Sequence, residues 1–182
     1  LICTRRTVHD YARTDVDEAV IDRALVAAHH APCHKHTWPW RFIKVGRQTR
    51  EAMVPTAVAL KSANRSTPLP EKAKQKIVDK LVNPAWLVVV TQVRADDEFR
   101  RKEDYAACAT AIQNLQLALH AEGLGTKWSS GSLTRHPALL ELLGVDEAVE
   151  DLVGFIWAGH PSAPPKGVAR PPLDETFVRR LP

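Results

Sequence analysis

The stretch Asp104–Gly131, DYAACATAIQNLQLALHAEGLGTKWSSG, decides the fold. Cys108, Ile112, Leu115 and Leu119 recur at helical spacing, and Ala106, Ala107, Ala109, Ala111 and Ala118 fill most positions between them. Only Gln113, Asn114, Gln116 and His120 interrupt, so the spacing predicts one long helix over 104–122, apolar nearly all round. Such a helix belongs inside a core or an interface. At 1.5 Å per residue it spans about 28 Å, roughly the width of a small domain. Gly123 supplies the left-handed residue that ends it. Leu124–Gly131 (LGTKWSSG) then reads as a short glycine-flanked loop carrying Trp128 beside the hydroxyls of Ser129 and Ser130. A rigid helix feeding a small polar loop can hold a ligand, although an ordinary turn after a core helix has the same pattern.

Working outward, Ala85–Val93 (AWLVVVTQV) is a nearly unbroken β-branched run and reads as an interior strand covered on both faces. Leu152–Gly159 is a second apolar strand, and Trp40–Val45 a third with imperfect alternation. Asp15 as N-cap, with Glu18 in the capping-box position, opens a helix with the stripe Ile21, Ala24, Leu25, Ala28. It stops near His30, ahead of Pro32. Residues 48–63 look helical apart from Pro55, Pro70–Leu81 is a lysine-rich helix with proline at its first position, and Thr134–Leu143 is a short one. A charged stretch, Arg94–Glu103, leads into the central helix. The tail His160–Pro182, with five prolines between 161 and 172, cannot join a central strand and is expected to run extended. Helices among three or four strands give an α+β or α/β layer, here as one domain over residues 1–182.

The net charge of +4 is mild, and the Lys72, Lys74, Lys76, Lys80 cluster reads as a solvated helix face. No aromatic-interleaved basic stripe accompanies it, which argues against nucleic acid as a partner. No apolar run reaches membrane-span length and no signal peptide is visible, so no membrane partner is expected. The chain opens on Leu1 rather than Met, which leaves room for residues ahead of it. Cys3, Cys33 and Cys108 form an odd set without disulfide-framework spacing, pointing to a reducing, cytoplasmic setting. Dinucleotide-binding, P-loop and nucleophile-elbow motifs do not occur, and no nucleophile–base pair follows from spacing.

Two stretches carry chemistry. In TRRTVHDYAR, the Arg5 and Arg6 guanidinium forks beside Thr7 suit a phosphate, since each fork donates paired hydrogen bonds to oxyanion oxygens; a solvated arm is the plain alternative. In HHAPCHKHTWPW (His29–Trp40), four of the eight histidines and one cysteine lie within eight residues. A His/Cys metal module is one reading, but zinc takes ligands from separated pieces of chain, and His120, His136 and His160 are scattered. The other is a loop of rings and donors facing a planar heteroaromatic ligand.

Four pieces now occur in order: the RRT start, the APCHKHTWPWRF loop and strand, AACATAIQNLQLALHAEGLGTKWSSG, and LVGFIWAGHP with ARPPL in the tail. Together they resemble the FMN-dependent nitroreductase family, most closely its small bacterial members with an A-P-x-H-K loop. The resemblance implies an α+β fold, a central, mostly antiparallel sheet flanked by helices. It implies a homodimer with two FMN sites at the subunit interface, the long helix packing on its mate and the tail reaching over the partner. Arg5, Arg6 and Thr7 match the family's phosphate-holding start. His30 and His34 match positions that contact FMN from the other subunit. Trp128, Ser129 and Ser130 match the loop beside the flavin ring, and Arg170 a tail arginine on the phosphate. Two departures stand out: Ser129 replaces the arginine of a W-R-S-G pattern, and Trp38 stands where glutamine often precedes Pro-Trp. The implied activity is hydride transfer from NADH or NADPH to FMN and onward to a nitroaromatic or quinone. The flavin carries that chemistry, so no side chain is assigned a catalytic role. A flavin carrier without turnover is the alternative that the two departures raise.

Overall fold

A computed structural model describes residues 1–63 and 65–181. Four strands, β1 (Trp40–Val45), β2 (Trp86–Val93), β3 (Gly125–Ser129) and β4 (Glu150–Gly159), form one antiparallel sheet in the order β1-β2-β4-β3. The helices are α1 (Glu18–His29), α2 (Arg47–Ala52), α3 (Val54–Ser62), α4 (Glu71–Val82), α5 (Glu98–Ala121) and α6 (Pro137–Leu142). Side chains alternate along the strands, so β1, β2 and β4 each feed two cores. Val88, Val90 and Ile156 face α1 and α5; Leu87, Val89 and Phe155 face Met53, Leu81 and Leu139 from α4, α6 and the α2–α3 junction. This double burial is why β2 reads as an unbroken apolar run, and it makes the fold three layers with the sheet in the middle.

The central helix is longer than its apolar pattern. It starts at Glu98, where the Asp97 carboxylate caps the Arg100 N–H at 2.7 Å, so the end of the charged stretch is helical. Its C-terminus is a Schellman motif, with Leu124 N–H on Leu119 C=O (2.9 Å), Gly123 N–H on His120 C=O (3.1 Å), and Gly123 at φ +80°. Only one face is covered: Cys108, Ala111, Ile112, Leu115 and Leu119 are fully buried, whereas Ala106 and Gln113 are exposed and Ala109, Thr110 and Leu117 half-buried.

Other expectations shift. Asp17, not Asp15, caps α1, accepting from the Ala19 N–H at 2.9 Å. Residues 48–63 form two helices, with Pro55 in the first turn of the second, where its missing N–H costs nothing. Pro70 sits at the N-cap of α4 rather than inside it. The largest change is LGTKWSSG, which is not a loop: Gly125–Ser129 pairs with β4 along its whole length, Trp128 opposite Ile156. The period-2 alternation is present, but it is short and hidden by the flanking glycines.

Cys108 gives a first test. Burial pushes its thiol up to about 12, helped by the Asp104 carboxylate and Cys33 and opposed by Arg41. Burial likewise raises Tyr11, whose hydroxyl donates to the Val8 carbonyl at 3.0 Å. Both groups are held neutral, so their contribution is complete below the pKa of the unfolded thiol, 9.0, and is lost as pH climbs toward the folded value. Melting temperature is expected to fall above about pH 9, and Cys108→Ala to flatten that fall. At about pH 8 a thiol reagent should modify exposed Cys3 and spare Cys108.

Candidate functional site

The N-terminal arginines are placed by backbone bonds at the open edge of β3. Thr7 bridges Thr126 in parallel, and the Val8 N–H donates to the Thr126 carbonyl at 3.0 Å. Residues 10–12 are held from the other side by 160–162, through Ala12 N–H on His160 C=O (2.9 Å) and Ser162 N–H on Asp10 C=O (3.1 Å). Thr4 Oγ1 meets His120 Nε2 at 3.1 Å, which fixes the chain start against the C-terminal end of α5.

Within this hook the two arginines differ. Arg6 Nη1 donates to the carbonyls of Cys3 (2.6 Å) and Arg5 (2.9 Å), closing the turn. Arg5 Nη1 is buried and finds no acceptor among the described residues. A buried guanidinium N–H without an acceptor is costly, so it marks a place where an oxyanion fits. The tail runs past the same spot: a Cβ on Gly167 would lie 2.9 Å from Arg6 Nε, and Arg170 follows three residues later, exposed.

At the other end of β3, about 10 Å along at 3.3 Å per residue, lie Trp128 and Ser129. Trp128 turns toward α5 and donates from Nε1 to the Val153 carbonyl at 3.4 Å. Ser129 turns the opposite way, its Oγ buried and without a partner among the described residues. It edges a cavity of about 370 Å³ on the sheet face away from α5. Phe155 and Trp157, ring centroids 6.1 Å apart and nearly perpendicular, belong to its apolar wall. Lys61, Lys80 and Lys127 bring positive charge to it, and His9 lines it as well. Lys127 titrates below its usual range, first because it is half-buried and then because Lys80 is near, with Asp10 opposing. Ser130 is exposed beside this edge.

The cavity lysines are the residues that sequence reasoning missed. Lys80 reads as one more charge on a solvated helix, although it adjoins Ile77 and Leu81 on the face turned to the cavity. Lys127 alternates with Thr126 and Trp128, a signal legible only once 125–129 is taken as a strand.

The histidine stretch lies elsewhere. His30 is the C-cap of α1 and His34 opens a 3₁₀ turn, both exposed. The loop is tied to the N-terminal half of α5 through Thr37 Oγ1, which donates to Asp104 Oδ1 at 2.6 Å. From Asp104 to His120, where the arginine hook attaches, is sixteen residues, or about 24 Å along the helix. One chain therefore brings Arg5, Arg6 and Thr7 to the strand that bears Trp128 and Ser129, but leaves His30 and His34 far off. Among the described residues no group of three or more His, Cys, Asp or Glu is arranged to hold a metal ion. No described helix is long and apolar enough to cross a membrane.

Comparison with known proteins adds an independent line. The model of a family described as the nitroreductase family matches residues 2–160. A Bacillus subtilis protein named "Putative NAD(P)H nitroreductase YfhC" is 32% identical over 179 residues, covering 98% of this chain and 91% of that protein. Among solved structures, a nitroreductase-like family protein from Bacillus cereus superposes with a TM-score of 0.84 at 27% identity, over 98% of this chain and 93% of that one. A "putative nitroreductase in complex with fmn" from Desulfovibrio desulfuricans superposes at 0.74 with 25% identity, over 98% and 94%.

Proposed function

The chain belongs to the nitroreductase family, and from that premise we propose that it is an FMN-dependent NAD(P)H oxidoreductase working as a homodimer. The observation that carries the reading is the buried, unpartnered Nη1 of Arg5, at the strand edge where a phosphate would sit. When bound, FMN would supply two-electron transfer from NADH or NADPH to a nitroaromatic or quinone-like acceptor. The rest follows from this chain's own groups.

Arg5 holds the phosphate, with Thr7 beside it. Arg6 shapes the turn, and Arg170 closes over the phosphate from the tail. The ring would lie along Trp128, Ser129 and Ser130, at a strand end that β4 holds by pairing with β3 as far as Ser129. Ser129 Oγ, short of a partner, can donate to a ring carbonyl. The lysine-bearing cavity next to it favours electron-rich, anionic groups, which raises the tendency of a flavin there to accept electrons.

Two copies complete the site. The outer stripe of α5, Ala106, Ala109, Thr110, Gln113 and Leu117, is largely small or apolar and is only partly covered by the described residues of one chain. Packing it antiparallel on itself about a two-fold lays the N-terminal half of one α5 over the C-terminal half of the other. His30 and His34 of one copy would then lie toward the arginine hook of its mate. The three unpaired cysteines support a cytoplasmic setting.

The purified protein is expected to be yellow, with oxidised-flavin bands, or to become so on adding FMN. Stopped-flow mixing with NADH or NADPH should bleach those bands, and an aromatic nitro compound should restore them. A protein saturated with FMN that neither nucleotide bleaches would be a flavin carrier, and the oxidoreductase reading would fail.

A further inference from the structure

We propose that Trp38, backed by His36, is the specificity-determining wall of the acceptor site, delivered by this chain to the flavin of a second copy; this rests on the dimeric flavoenzyme reading above. Trp38 is unusual in its backbone. Lys35, His36 and Trp38 have φ of 55°, 54° and 40°, the three non-glycine residues with positive φ among those described. Side chains with a Cβ are disfavoured there, and such strain persists only where the surroundings hold it.

Hydrogen bonds around the loop supply that hold. The Trp38 N–H donates to Cys33 Sγ at 3.3 Å, and Cys33 Sγ in turn contacts Thr37 Oγ1 at 3.2 Å. Thr37 is anchored to the buried Asp104 carboxylate of α5. Arg41 Nη1 donates to the Trp38 carbonyl at 3.1 Å. The backbone on both sides of the indole is thus pinned, and the indole itself is not. It remains 49% exposed, although a groove lined by Leu25, Val26 and Phe42 adjoins it. It stacks on the His36 ring instead, with centroids 5.4 Å apart and planes 17° from parallel.

A loop held in strained geometry by four polar contacts, presenting a stacked pair of flat rings to solvent, is built to meet another flat surface. Among the described residues no further ring stacks on this pair. The anchor to Asp104 puts it near the end of α5 that a two-fold mate sets over its own flavin strand. An indole there forms the second side of a slot, and a ligand between two π faces gains only if it is itself planar. The slot therefore selects flat aromatic or quinonoid acceptors over compact, non-planar ones.

The test is Trp38→Ala in the FMN-loaded dimer, with Trp38→Phe as the conservative variant. Trp38→Ala is expected to raise KM for menadione about tenfold while leaving the rate with ferricyanide, a non-planar acceptor, and the FMN dissociation constant unchanged; Trp38→Phe should recover most of the loss. Without turnover, 2-naphthoate should perturb the flavin spectrum of the wild-type protein and not of Trp38→Ala. Mixed dimers of Arg5→Ala with Trp38→Ala, at an FMN concentration that fills only sites with intact Arg5, should show wild-type KM for menadione, because one of the two shared sites then carries neither lesion. An unchanged menadione KM, an equal change with both acceptors, or mixed dimers showing only the raised KM would overturn the proposal while the flavoenzyme reading stands. A wild-type protein that takes up no FMN would overturn both.

Discussion

Arg5→Ala is expected to weaken FMN binding by about 1–3 kcal/mol, the usual cost of losing a charge-assisted hydrogen-bond partner, or roughly 5- to 150-fold in dissociation constant. The structure separates this arginine from its neighbour. Arg6 is tied to the carbonyls of Cys3 and Arg5, so Arg6→Ala loosens the hook and its effect is shared between folding and binding. Arg5 Nη1 is buried and has no acceptor among the described residues, so its removal takes no hydrogen bond from the fold and is expected to penalise FMN binding. Titrating apo-protein with FMN, followed by quenching of flavin fluorescence, measures the change. Equal affinities for Arg5→Ala and the wild type would remove Arg5 from the site.

Gly154→Ala is expected to cost about 1–3 kcal/mol of stability, as overpacking usually does, and to impair flavin binding as well. A Cβ at 154 would stand 2.2 Å from Trp128 Nε1, 2.7 Å from Trp128 Cδ1 and 3.0 Å from the Ser129 carbonyl. The indole is not free to yield. It packs among the residues that α1 and α5 bury, and its N–H donates to the neighbouring Val153 carbonyl. Displacing it tilts the end of β3, and Ser129 and Ser130 move with it. Chemical denaturation gives the stability term, and FMN titration of the still-folded fraction gives the second. A variant that melts like the wild type and binds FMN equally would show that Trp128 does not position this strand end.

Much of the architecture is written locally. The unbroken run at 86–93, the stripe Cys108, Ile112, Leu115, Leu119 and the Gly123 terminator each reflect a periodicity or a backbone requirement that a short window contains. The arginine hook was also legible as chemistry, because guanidinium forks beside a hydroxyl suit an oxyanion wherever the fold puts them.

What the chain alone leaves open is whatever depends on a neighbour distant in sequence. Gly125–Ser129 becomes a strand because β4 needs a partner on its free side, and five residues are too few for alternation to declare itself. Lys80 and Lys127, apart in sequence, share one cavity only because α4 covers the sheet face to which the Lys127 side chain of β3 turns. Arg5 and Arg6 look alike as letters, yet a turn of backbone occupies one and leaves the other's Nη1 without an acceptor. Residue type and periodicity thus determine which elements form and which chemistry is available; long-range packing decides which of those groups meet, because that depends on distances through space that no local pattern encodes.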